Sequence, residues 1–130
     1  MSEKHTLSEL QLAIMRVIWH RGEATVSAVQ DALREERGLA LTTVATMLKR
    51  LEARGIVDHR MDGRQFVYRA LVTEDLVKRT MVGELTSHLF KGDPLALVSH
   101  LIAEHEIDPD ELPRLARLID EAATDGEDGD

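Results

Sequence analysis

Apolar residues return every three or four positions along most of the chain, and over one stretch they alternate with polar ones instead. At about 100° per residue, Leu10, Ile14, Val17 and Ile18 share a face, which predicts a first helix ending at Gly22. Thr6 with Glu9 three residues on has the capping-box pattern at its start. The ATV stretch that follows fits a short strand. Ser27 and Gln30 repeat the capping-box pattern before Val29, Ala32 and Leu33, predicting a second helix that breaks at Arg37 and Gly38. The third is LTTVATMLKRLEARG, residues 41 to 55. There Val44, Met47, Leu48 and Leu51 form the packing stripe, opposite Thr42, Thr46, Lys49 and Ala53. Ala45 lies on one flank, Thr43 and Arg50 on the other.

The outer face of that third helix is unusual for a surface. Glu, Lys and Gln favour helix and hold charge in solvent, so a face meant only for water carries them. Here it is short and hydroxylated, and the sole acid is Glu52, near the far end.

Alternation takes over in IVDHRMDGRQFVYRA, with Asp62-Gly63 in the middle. Asp-Gly between β-prone runs predicts a hairpin on a type I′ turn, which needs positive φ at both central residues. Its tip carries Arg60 and Arg64. Thr73 then caps a long helix in which Val77, Met81, Leu85 and Leu89 recur every four residues, ending at Lys91-Gly92. Asp93-Pro94 starts another with Leu95, Leu97, Val98, Leu101 and Ile102. Asp108-Pro109, with Glu111 at the N3 position, starts the last, carrying Leu112, Leu115, Leu118 and Ile119. These last helices are short and very apolar, and alone they expose what they should bury. A second copy of the chain is therefore expected to cover Leu85, Leu89, Leu97, Leu101, Leu115 and Ile119.

Length and charge sharpen this outline. The 130 residues suit one domain, or a small domain with an appendage. No cysteine is present, which excludes disulfides and thiolate metal sites. No apolar run is long enough to span a bilayer and MSEKHTLSEL lacks a signal-peptide pattern, so a soluble cytoplasmic protein without membrane insertion is expected. The net charge of -8 conceals a division. Residues 1 to 80 hold 13 Lys/Arg against 11 Asp/Glu, and residues 81 to 130 hold 3 against 13. The first part can approach a polyanion, and the second is repelled by one. The closing ATDGEDGD has acids interleaved with Gly and reads as a disordered tail.

The expected fold is thus mostly α with a small β-hairpin. Residues 1–72 form a winged helix-turn-helix domain, 73–122 an α-helical dimerisation domain, and 123–130 the acidic tail. In the winged form the third helix enters the major groove of double-stranded DNA and the hairpin lies along the backbone. Thr hydroxyls bond bases or phosphates, an Ala or Thr methyl meets thymine, and short side chains let the helix sit deep. Lys49, Arg50, Arg60 and Arg64 supply the sequence-independent, salt-sensitive part of binding.

On LTTVATMLKRLEARGIV, the early LQLAIMRVIW and the late LFKGDPLALVSHLIAEHEIDPDEL, the chain resembles the BlaI/MecI/CopY group of bacterial repressors. The resemblance implies a homodimer on a palindromic operator, blocking transcription of β-lactamase or related genes. It places Thr42, Thr43, Ala45 and Thr46 where the family contacts bases and phosphates. Ala45 departs from the Arg of the better-known members. The copper-responsive branch ends in a cysteine-rich motif that this chain lacks. The β-lactamase branch is released when a membrane sensor protease, activated by antibiotic, cuts the helix after the GD turn. His100-Leu101 stands where that family has its Asn-Phe bond.

Rival readings remain at the level of sequence. The outward threonines could belong to an ordinary surface, or the winged helix could bind protein instead of DNA. His100 and Glu104, four apart with His105 adjacent, have a zinc-compatible spacing, but the paired histidines of a metalloprotease are missing. No catalytic set stands out, and no metal or cofactor is expected.

Overall fold

Two patterns compete to start the first helix, and the later one wins. In the computed structural model, which describes residues 5–128, α1 spans Glu9–Arg21 with Ser8 as its cap. Ser8 Oγ accepts from the Gln11 amide at 3.1 Å, and Gln11 Oε1 accepts from the Ser8 amide at 2.9 Å. This is a complete capping box, displaced from the predicted Thr6 and Glu9. The Thr6 hydroxyl instead donates to the Glu84 carboxylate. Gly22 ends the helix at φ 89°, a left-handed conformation that a side chain resists.

The same displacement recurs at the second helix. Strand β1 (Glu23–Thr25) runs directly into α2 (Val26–Ala32), and Thr25 Oγ1 takes the Ala28 amide at 3.1 Å. Ser27, the predicted cap, therefore lies inside the helix. α3 (Leu41–Ala53) follows, then β2 (Val57–Asp62) and β3 (Gln65–Ala70). The sheet is antiparallel in the order β1-β3-β2. Asp62 pairs with Gln65, so the turn residues are Gly63 and Arg64 and not the predicted Asp62-Gly63. Gly63 has φ 62° and Arg64 has no positive φ, the pattern of a type II′ turn and not of type I′.

Ile14 and Ile18 of α1, Val29 of α2, and Val44, Leu48 and Leu51 of α3 are fully buried together with Tyr68 of the sheet. α4 (Glu74–Leu89) is capped by Thr73, whose Oγ1 accepts from the Leu76 amide at 3.1 Å. Its Val77 is buried in the same core and Met81 packs against it. Trp19 Nε1 also donates to the Val72 carbonyl at 2.9 Å. The first compact unit accordingly extends over Met1–Glu84, past the boundary at residue 72 that the sequence suggests.

The second unit, Leu85–Asp130, holds the end of α4 and two further helices. α5 (Pro94–Ala103) is capped by Asp93 Oδ1, which takes the Leu95 amide at 3.0 Å. A 3-10 turn at Pro109–Glu111 leads into α6 (Leu112–Asp128), so Glu111 precedes the α-helix instead of standing at its third position. α6 continues through residues 123–128, where interleaved acids predict a disordered tail. Residues 129–130 and 1–4 lie outside the described residues. Leu89, Leu95 and Ile119 are 69%, 71% and 59% exposed. Among the described residues no helix is long and apolar enough to cross a membrane.

Candidate nucleic-acid interface

α3 is held at both ends by side chains from outside it. Before it, Gln30 Nε2 donates to the Leu39 carbonyl at 3.1 Å, bracing the link from α2 where Ala40 offers no side-chain cap. After it, Arg54 donates to the Thr6 carbonyl at 2.6 Å and to Gln11 Oε1 at 3.2 Å. With Val44, Leu48 and Leu51 buried beneath, the rotation of the helix about its axis is fixed.

That rotation exposes Thr42, Thr43, Thr46, Lys49 and Arg50, with Ala45 half-buried on the flank. Thr42, Thr43, Thr46, Met47 and Arg50 line a shallow groove on this face. Among the described residues no ion pair involves Lys49, Arg50 or Arg64, so these charges are available to an incoming anion.

The two hairpin arginines have different settings. Arg64 sits in the turn, but Arg60 lies back on β2 and not at the tip, with its guanidinium 2.7 Å from Glu23 Oε1. That hydrogen bond holds the Glu23 carboxyl below the usual carboxylate range and raises Arg60. Arg69 does the same for Asp58 at 2.7 Å. A phosphate contact by Arg60 competes with Glu23, whereas one by Arg64 displaces no partner.

On the other face of the hairpin, His59 Nδ1 stands 2.8 and 2.9 Å from the two carboxylate oxygens of Glu52. Neither the helical period nor the strand alternation singles out His59 in the sequence. A lone acid on an otherwise acid-free helix, with a histidine seven positions on, is the available signal. The His100, Glu104 and His105 arrangement does not assemble. Glu104 caps the end of α5, His105 is left-handed at φ 60°, and the His100 ring lies 5.8 Å from Phe90. Among the described residues no three His, Asp or Glu side chains form a metal-binding group.

Three helices closed by a β-hairpin, with the third helix presenting a short polar face, define a winged helix-turn-helix domain. The sequence matches the penicillinase repressor family over residues 7–121, so the chain belongs to that family. It is 33% identical to the transcriptional regulator BlaI of Mycobacterium tuberculosis, covering 93% of this chain and 88% of that protein. It is 22% identical to the methicillin resistance regulatory protein MecI of Mammaliicoccus sciuri, covering 91% and 96%. Among solved structures, the DNA-binding domain of the repressor BlaI superposes with a TM-score of 0.51 at 30% identity. That likeness covers 58% of this chain and 93% of that domain.

Proposed function

We propose that two copies of this chain form a transcriptional repressor that occupies a palindromic operator, with α3 in the major groove and the β2–β3 wing along the backbone. The observation that carries the reading is the outer face of α3. A helix anchored at both ends presents three threonines, an alanine flank and two cations that form no ion pair among the described residues, and its one acid is turned aside toward His59. Thr42, Thr43, Ala45 and Thr46 read base edges and nearby phosphates, while Lys49, Arg50 and Arg64 neutralise backbone charge, joined by Arg60 if it leaves Glu23. That its relatives include a methicillin resistance regulator and its family is that of the penicillinase repressor supports regulated genes for β-lactam resistance.

Assembly and release belong to the second unit. Leu85, Leu89, Leu97, Leu101, Leu115 and Ile119 form the pairing surface, and all six retain solvent exposure in the single chain. Cleavage of α5 at His100-Leu101 by a membrane sensor protease separates the operator-reading unit from the pairing helices. The chain itself performs no catalysis and works in the cytoplasm.

The test is a mobility shift on DNA upstream of the chain's own gene at two salt concentrations. A shift that weakens steeply with salt supports the reading. A chain that shifts no DNA but captures a protein is an interaction module instead.

A further inference from the structure

Glu52 presents a difficulty that operator binding alone does not resolve. It is the only carboxylate on α3, and at about 100° per residue it lies on the Ala45 flank, one row from Lys49. A free carboxylate there repels phosphates and competes with them for the Lys49 ammonium, three residues earlier.

The wing supplies the answer. His59 Nδ1 contacts both oxygens of Glu52, at 2.8 and 2.9 Å, and both side chains are about one-third exposed or less, at 28% and 33%. The ring is held in place. Phe66 of β3 stacks on it at 4.1 Å with an interplanar angle of 13°, and Tyr68 of β3 lies 5.6 Å away. The charged groups nearby act in known directions. On α3 there is Glu52 itself, the carboxylate in contact with the ring. On β3 the Tyr68 phenol is pushed up by burial and by the Glu52 charge, so it stays neutral. Asp58 on β2 is bonded to Arg69 of β3, and Arg60 to Glu23 of β1, so those charges are largely compensated.

We propose that Glu52 and His59 form a proton-linked brace between α3 and the wing: a protonated His59 cancels the one carboxylate charge on the reading helix and sets the wing's angle to it. The proposal rests on the operator-binding reading and adds a regulation of that same surface. DNA phosphates favour the imidazolium, so binding takes up a proton at His59. Affinity is therefore expected to rise as pH falls from about 8 to 6, across the range in which histidine side chains change charge. Above it the contact becomes a neutral donor on a charged acceptor, and the Glu52 charge faces the backbone uncompensated.

The experiment uses the full chain and a duplex that the purified protein selects from a random-sequence pool, with affinity followed by fluorescence anisotropy at constant ionic strength. Wild type is expected to bind about fivefold tighter at pH 6 than at pH 8, less than the tenfold per pH unit that one linked proton permits. Glu52→Gln should flatten that dependence and bind at least as tightly as wild type at pH 8. His59→Gln should lose about threefold to tenfold at pH 6, and the double variant should recover most of that loss, as a coupled pair requires. A purely structural role for Glu52 makes both single variants weak and the double variant weaker still, which overturns the brace. So does a His59→Gln profile that parallels wild type, since His5, His20, His88, His100 and His105 remain in it. If wild type selects no duplex at any salt concentration, the operator-binding reading itself fails and the brace falls with it. Wild-type binding without a His59-dependent profile leaves operator binding standing and removes the brace alone.

Discussion

Thr46 and Lys49 lie one helical turn apart on the same exposed face, yet their chemistry predicts different work for them in the proposed complex. A hydroxyl with a methyl can distinguish base edges, whereas an ammonium on a flexible stem meets any phosphate. Thr46→Ala should cost about 1 to 3 kcal/mol on a matched site and relax choice at one position, with little effect on scrambled DNA. Lys49→Ala should weaken both DNAs alike and lower the salt slope by about 1. Anisotropy titrations on both duplexes decide the matter, and equal losses on both would end the division of labour. The outward face of the sheet gives a second residue-scale prediction. Glu23 and Asp58 are held below the usual carboxylate range by hydrogen bonds from Arg60 and Arg69. A carboxyl depressed in the folded state adds stability above its unfolded pKa and loses it as pH falls through the folded one. Asp58→Asn should therefore lower the urea midpoint at neutral pH by a small amount and leave it unchanged under strongly acidic conditions. The pairs are exposed, so the effect is modest.

Helices and the hairpin were legible as elements because burial enforces their periods. Val44, Leu48 and Leu51 are each completely buried, and the stripe they form was visible in the sequence. Which residue starts each helix was not. Thr6-x-x-Glu9 and Ser8-x-x-Gln11 both satisfy the capping pattern, and the choice falls to Ser8 because Thr6 is engaged by Glu84, a partner 78 positions away. Gln30 fits half of a capping box in sequence, but its amide holds the Leu39 carbonyl instead. The turn slipped by one residue because Asp62 pairs with Gln65 and remains in the ladder, a matter of cross-strand register that dipeptide preference cannot resolve. The His59–Glu52 contact was hidden for the same reason: it joins elements, and no single period contains it. The turn itself can be tested. A Cβ at Gly63 meets nothing within 4 Å, but its φ of 62° strains any L side chain. Gly63→Ala should destabilise the hairpin by about 1 kcal/mol, seen as a lower urea midpoint with an unchanged slope. An unchanged midpoint would show that the loop relaxes without loss.

For the whole molecule, the proposed pairing through the exposed leucines of the second unit predicts how strongly the first acts. A single reading helix with a few phosphate contacts binds weakly, and a dimer holds its second helix at high effective concentration beside the second half-site. The proposed two-fold pairing is expected to set the two α3 helices about one DNA turn apart, near 34 Å. Leu101→Asp or Leu115→Asp should place a charge in the pairing surface, give monomers on sedimentation, and weaken operator binding by about a hundredfold or more. A wild-type chain that sediments as a monomer at micromolar concentration would remove this account. Release follows from the same arithmetic. A cut between Val98 and Ile102 is expected to leave the first unit whole, core and α3 included, because that unit spans Met1–Glu84. What disappears is the linkage. Each freed unit is expected to retain only its own half-site affinity, too weak to hold an operator at cellular concentrations. Such a cut should therefore abolish occupancy without unfolding the DNA-binding unit. The check is to cleave the purified repressor within α5, by way of a specific protease site inserted there, and to follow operator binding and the near-ultraviolet signal of Trp19 together. Lost binding with an unchanged Trp19 signal supports release by severed pairing. Intact repressor recovered from fully induced cells, with transcription already on, would show that a ligand opens the operator instead.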